Sequence, residues 1–193
     1  MRTMPNLETE RLRIRPFTPH DTNTAYQNAL SIGWVNADQS PTEQLAAMHT
    51  YIQWCSLNHQ QLALLHQPPY GDRAVTLKAN GGLIGSCGLV PYVADLSVFP
   101  YFGGQAGGFD RVGMGLMWTI AAQHQKQGYG TEVARALIDY ALNELNLHHI
   151  IATTEHDNLA SQKVMQNAGM HLERNPFDEP PWLQVLAVIE HEE

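Results

Sequence analysis

Two glycines, Gly128 and Gly130, stand at the head of an amphipathic run in the segment QKQGYGTEVARALIDYAL, residues 125–142. Ala134, Leu137, Ile138, Ala141, Leu142 and Leu145 recur at helical spacing, which predicts a helix over 131–146 with one apolar side made to lie on a sheet. The start of a helix carries backbone N–H groups without intrahelical partners. The aligned peptide dipoles add about half a positive charge there. An anion such as a pyrophosphate fits that place when no Cβ holds it off. Gly128 and Gly130 remove those Cβ atoms, and Thr131 adds a hydroxyl donor. The segment therefore reads as a phosphate cradle or as a tight turn before a packed helix. It is not a P-loop, because GxxxxGK[ST] is absent. It is not a dinucleotide fingerprint, because the third glycine would fall at Val133 and no ribose-binding acid follows at a suitable place.

The other segments suggest what surrounds that helix. Residues 10–17 alternate, with Leu12 and Ile14 between Arg11, Arg13 and Arg15, as a strand with one wet face would. Thr18 and Asp21 are cap-type residues, and a helix is expected to follow to about Leu30. Pro41 to Gln67 reads as one long helix or a broken pair, with Leu45, Met48, Ile52, Cys55 and Leu62 near helical spacing. Two β-rich runs flank Asn80-Gly81-Gly82 and predict a hairpin. VGMGLMWTI and HHIIATTE read as strands, Asn158 to Ala168 as a short helix, and Gly169 as its left-handed C-terminal residue. PWLQVLAVIEH reads as an interior strand, because it is apolar on both faces. Strands and helices mix without a regular βαβ repeat, which points to a mixed sheet with helices on both faces. Residues 91–111, rich in Gly, Pro and aromatics, form a long connection that reads as a lid or as an oligomer contact. Left exposed, its aromatics would make an apolar patch that suits a homodimer.

Composition narrows the function classes. A chain of 193 residues suits one domain, here 1–193, and 44% hydrophobic residues can build a sizeable core. A formal charge of −8 argues against a nucleic-acid groove. No run of 18 apolar residues could span a membrane, and the first residues, MRTMPNLETERLRIRPF, lack the apolar core of a secretory signal. Cys55 and Cys87 are too few for a disulfide framework and read as free buried thiols, which suits a cytoplasmic protein. No metal site is expected: HExxH and CxxC are absent, and His148 and His149 would point to opposite faces of a strand. Trp118 and Trp182 are expected in the core or lining a cleft.

Gln125-Lys126-Gln127-Gly128-Tyr129-Gly130 resembles the Q/R-x-x-G-x-G/A motif of the GNAT superfamily of acyl-CoA-dependent N-acyltransferases. TEVARALIDYAL, TTEHDNLASQKVMQNAGM and LETERLRIRPFTPHD resemble the branch that acetylates ribosomal-protein N-termini (RimJ/RimL-like). The resemblance covers most of the chain in the right order and leaves residues 31–70 and 91–111 unmatched. It implies an α/β (α+β) fold: a GNAT-like mixed, mostly antiparallel central sheet with helices on both faces and a splayed parallel strand pair. It also implies acetyl-CoA as co-substrate. The strand at Trp118, Thr119 and Ile120 would hold the pantetheine arm. The amides of Lys126, Gln127, Gly128, Tyr129, Gly130 and Thr131, with Gln125 ahead of them, would hold the pyrophosphate. Asn158 would meet the pantetheine or the nearby backbone; by itself it also reads as a helix N-cap. Three positions depart from the family pattern. Lys126 stands where Gly is frequent, Met165 where many members carry a tyrosine acid, and Gly113 to Leu116 where many carry a glutamate base.

The reaction so implied is direct attack of an amine on a thioester in a ternary complex. It needs a neutral amine, a stabilised oxyanion and a protonated leaving thiolate. A backbone N–H near Ile120 to Ala122 would polarise the carbonyl, and Ser161 would serve the leaving sulfur. Glu155 is the candidate base, with His156, Asp157 and Asp110 as further groups at the edge of the site. A free α-amine has a pKa near ~8 and a lysine side chain near ~10.4, so a site without an evident base favours an α-amine. The acceptor is thus expected to be a protein N-terminus or a small amine. The competing reading is a CoA-binding sensor or assembly module that has lost its chemistry, and a weaker one is a nucleotide-binding protein using the same helix end.

Overall fold

Leu12 and Ile14 are fully buried in the computed structural model, which describes residues 5–68, 70–103 and 112–191. The chain forms β1 (Leu7–Glu8), β2 (Leu12–Arg15), α1 (Thr22–Ser31), α2 (Pro41–Leu64), β3 (Gly71–Leu77), β4 (Leu83–Val93) and β5 (Val112–Ile120), followed by α3 (Tyr129–Asp139), β6 (His149–Thr154), α4 (Leu159–Asn167), β7 (His171–Arg174) and β8 (Val185–Glu190). The strands make one eight-stranded sheet in the order β1-β2-β3-β4-β5-β6-β8-β7. The β5–β6 pair is parallel and the sheet is otherwise mostly antiparallel. The chain divides into two compact units, Met1–Gly88 with Trp118–Val133, and Leu89–Met117 with Ala134–Glu193. No helix among the described residues is long and apolar enough to cross a membrane.

In the first unit, alternation makes β2 as expected: Leu12 and Ile14 face inward and Arg13 faces water. Arg15 is less wet than the pattern suggested. Its guanidinium forks onto Asp21 at 2.7 and 2.8 Å. The Thr18 N–H reaches the same carboxylate at 2.8 Å, ahead of α1. Ser40, Pro41 and Glu43 start α2 with a capping box. The helix then runs unbroken, with Ile52, Cys55 and Leu62 buried one to two turns apart. Phe17, Ile52, Cys55, Ala74 and Leu83 form the core of this unit. The hairpin turns where Asn80-Gly81-Gly82 predicted, with Gly81 at φ 73° and its N–H on Leu77 O at 2.8 Å. Both cysteines are free and buried, and burial raises both thiols, Cys55 to about 12.

In the second unit β8 is interior, flanked by β6 and β7, and Val185 to Val188 are all buried. The four-residue strand β7 was not anticipated. α3 ends at Asp139 and continues as a π-helical turn, Tyr140–Glu144. The described part of the 91–111 connection contributes to the core of this unit. Ala94, Leu96, Phe99 and Phe102 are buried against Ile151, Leu183, Leu186 and Val188. The Tyr101 N–H bonds the Glu173 carboxylate at 3.1 Å, and its hydroxyl bonds Glu190. Apolar side chains close together in a connection form core when strands supply a matching face. Phe109 and Asp110 lie outside the described residues. Trp182 is not core: it is 51% exposed, with Tyr92 edge-on at 6.2 Å, while Trp118 is half-buried.

Phe99→Ala is expected to cost about 3–5 kcal/mol in urea unfolding, as for a buried aromatic. A cost below about 1 kcal/mol would return this segment to the surface.

Candidate functional site

The end of β5 and the start of α3 lie in the first unit, joined by a loop that braces itself. Ala121 N–H donates to Ile84 O at 2.8 Å, anchoring the strand end. A short 3-10 turn, Ala122–His124, follows. Gln125 Nε2 then reaches back to Ile120 O at 2.9 Å, and Gln127 Nε2 to Gln123 O at 3.2 Å. Both glutamine side chains hold loop backbone. Lys126 adopts φ 60° and Gly128 φ 83°. The left-handed region costs a residue with Cβ about 1–2 kcal/mol, so Lys126 is held there by its surroundings. These reversals aim the chain into α3. The first bond of that helix is Glu132 N–H to Gly128 O at 3.1 Å, so the amides of Tyr129, Gly130 and Thr131 precede the hydrogen-bonded ladder. The loop from Gln125 to Gly128 is exposed.

Sequence reasoning missed what holds this loop. Arg11 was read as wet strand surface. Its Nη1 donates to Gln127 O at 2.9 Å, its Nε to Glu132 at 2.7 Å, and its guanidinium lies 4.3 Å from the Tyr129 ring centroid. The Arg11 backbone N–H and the Thr9 hydroxyl both donate to Glu132 Oε1. No local signal announces these bonds, because the partners are 121 and 123 positions apart. Partial burial works to raise the Glu132 pKa. It is outweighed by the bonds from Thr9 and the Arg11 amide and guanidinium, so the pKa lies below the usual carboxylate range.

The same unit holds an apolar cavity of about 40 Å³ under α1 and α2, walled by Phe17, Ala25, Ala29, Met48 and Leu83. Gly85, Ser86, Thr119 and Ala121 close it from β4 and the end of β5. A Cβ on Gly85 would collide with the Thr119 carbonyl, so glycine lets the two backbones approach here. Ala122, named for its N–H as an oxyanion donor, already gives that N–H to Ser31 Oγ at 3.0 Å. With Ala121 also engaged, a bound oxyanion would have to compete with Ser31.

The second unit carries Asn158, Ser161 and Glu155. Asn158 is the N-cap of α4, its Oδ1 accepting from Ser161 N–H at 3.1 Å. Gln162 Nε2 ties the preceding turn through His156 O at 2.9 Å and Glu155 O at 3.2 Å. The Ser161 side chain is half-buried, and Glu155 and Asp157 are exposed. His156 Nε2 is buried without a hydrogen-bond partner. Met165, at the tyrosine position of many family members, is core. Among the described residues no group of three His, Cys, Asp or Glu is placed to hold a metal ion.

Residues 11–171 match the acetyltransferase (GNAT) domain family, and the chain belongs to it. It is 41% identical over 56 residues to the uncharacterized N-acetyltransferase YnaD of Bacillus subtilis, 29% of this chain and 33% of that protein. The chain spans between a quarter and just over half of the length of the curated relatives it matches. Among solved structures it resembles a GNAT-family acetyltransferase from Bacillus anthracis, with TM-score 0.66 and 19% identity over 98% of this chain and 100% of that one. It also resembles Mycobacterium smegmatis RimJ in complex with CoA-disulfide, with TM-score 0.65 and 16% identity over 98% and 87%. At these identities both share the fold.

Glu132 yields a test by pH. A lowered carboxylate pKa contributes stability that is complete above the unfolded value, near ~4.3, and lost as pH falls through the folded one. Glu132→Gln is expected to lose about 1–3 kcal/mol at pH 7. Urea midpoints should show the gap from wild type closing below about pH 4. A gap that stays constant into acid would mean the charge is not what holds the loop.

Proposed function

We propose that the chain is an acetyl-CoA-dependent N-acetyltransferase of 1–193, moving an acetyl group to a primary amine by direct attack in a ternary complex. The start of α3 carries this reading: amides ahead of the first helical bond, no side chain at Gly128 or Gly130, and a loop preset by Gln125 and Lys126. These features fit a pyrophosphate. The amides of Lys126 to Thr131 would hold it, and the exposed Lys126 ammonium would add charge. Glu132 sits close by, and its pairing with Arg11 offsets the repulsion it would exert on a phosphate.

Acetyl-CoA supplies the activated acyl group as a thioester. The Trp118–Ile120 strand end would receive the pantetheine arm, with Asn158, exposed beside α4, meeting it through the side-chain amide not engaged in capping. Ser161 would donate a hydrogen bond to the departing sulfur, and the exposed Glu155 would pass the amine proton to water. The acceptor is a weakly basic amine, and an α-amine of a protein N-terminus or small molecule fits best. The relatives' names support the reaction class.

Calorimetric titration with acetyl-CoA is expected to give micromolar binding that Gly130→Trp abolishes, followed by CoA release when α-amines are supplied. Ser161→Ala should lower turnover about a hundredfold at unchanged acetyl-CoA affinity. Binding without turnover on any amine would favour a CoA-binding module, and no binding by the wild type would leave the glycines as a turn.

A further inference from the structure

We infer that the cavity under α1 and α2 is the acceptor pocket, and that it takes a short, uncharged hydrocarbon side chain of the amine beside the Ser86–Thr119 hydroxyl pair. The inference rests on the proposed acetyl transfer and names its substrate class. None of the residues lining the cavity is Asp, Glu, Lys, Arg or His. Its other polar side chains are already engaged. Tyr51 hydroxyl donates to Asp72 Oδ2 at 2.6 Å, and Asn28 Nδ2 donates to Leu83 O at 3.1 Å. A cationic group placed there would lose its hydration without gaining a carboxylate, which excludes polyamines and other polycations.

The hydroxyl pair is the polar exception. Ser86 Oγ and Thr119 Oγ1 lie 2.8 Å apart, and Thr119 Oγ1 also accepts the Ser86 N–H at 3.3 Å. One bond between two hydroxyls leaves lone pairs to accept from the N–H of a neutral amine. Thr119 and Ala121, two residues apart and both lining the cavity, bracket Ile120 in the strand end assigned to the pantetheine arm. The cavity wall therefore includes the strand end where the acyl group would be presented.

Size sets the limit on the side chain. A water needs about 10–15 Å³ of such space, so the roughly 40 Å³ present takes about three or four heavy atoms. A valine side chain fits, a hydrogen leaves a void, and an indole does not enter. Trp34, 57% exposed, is part of the cavity wall and reports on entry by its fluorescence.

The experiment compares glycinamide, valinamide, lysinamide and spermidine with the full chain. Transfer is read as CoA release, and entry as the change in emission that Trp34→Phe removes. Valinamide is expected to exceed glycinamide by about tenfold or more in kcat/KM, with lysinamide and spermidine below both. Ala25→Leu, filling the cavity, should lose the preference for valinamide while acetyl-CoA affinity stays unchanged. Met48→Ala, enlarging it, should shift the preference to phenylalaninamide. Spermidine or lysinamide as the better acceptor overturns the inference and leaves the acetyltransferase reading standing. So does an unchanged valinamide preference in both variants. Trp34-reported binding of valinamide without turnover supports the pocket while removing the chemistry. The absence of both the emission change and a valinamide preference overturns it.

Discussion

Glu132 is the interaction on which the cradle depends. Its carboxylate gathers the Thr9 hydroxyl, the Arg11 amide and the Arg11 guanidinium, and so ties the first turn of α3 to the chain just before β2. A carboxylate in that turn also meets the positive end of the helix dipole. The same Arg11 reaches on to Gln127 O, which fixes the carbonyl between Lys126 and Gly128, the two left-handed residues of the loop. The strain at Lys126 is held from outside the loop, by contacts with residues far away in sequence. The proposed anion site would then be preorganised, its loop fixed before any ligand arrives.

Two independent features underlie the proposal of a neutral amine. The side chains assigned to chemistry include no buried carboxylate, since Glu155 and Asp157 are exposed. The cavity in the first unit has no charged residue in its wall. Neither feature offers an ammonium a counter-charge or a buried base, which is why the acceptor proposed here is an amine already neutral in a useful fraction. Asp72, outside the cavity wall, accepts the Tyr51 hydroxyl bond at 2.6 Å. Burial raises the pKa of Asp72, and the tyrosine hydrogen bond works against that rise. That pair braces α2 on β3 and keeps the acid out of the pocket.

Patterns that repeat within a few residues were readable directly. The Asn80-Gly81-Gly82 turn, the buried Leu12 and Ile14, and the left-handed Gly169 all stand where local chemistry put them. Features that depend on distant partners were not. Arg11 looked like any solvated arginine, because nothing near it in sequence shows Glu132. The aromatic connection reads from sequence as a lid or an oligomer contact, because the faces its described part packs on lie some fifty to ninety residues further on. Strand β7 is four residues long with mixed polarity, and only pairing with β8 makes it a strand.

The sequence by itself determined the helix starts, the turns, the interior strand and the glycine-marked loop, because capping, φ preference and apolar periodicity act over a handful of residues. It also carried the family through the spacing of its two motifs. Only the tertiary structure decided that Arg11 and Glu132 brace the loop, that Ala122 gives its N–H to Ser31, that Phe99 and Phe102 are core, and that an uncharged cavity forms beside Ser86 and Thr119. Hydrogen bonds and cavities of that kind exist only once strands and helices distant in sequence have been brought together, since no single segment contains both sides of the contact.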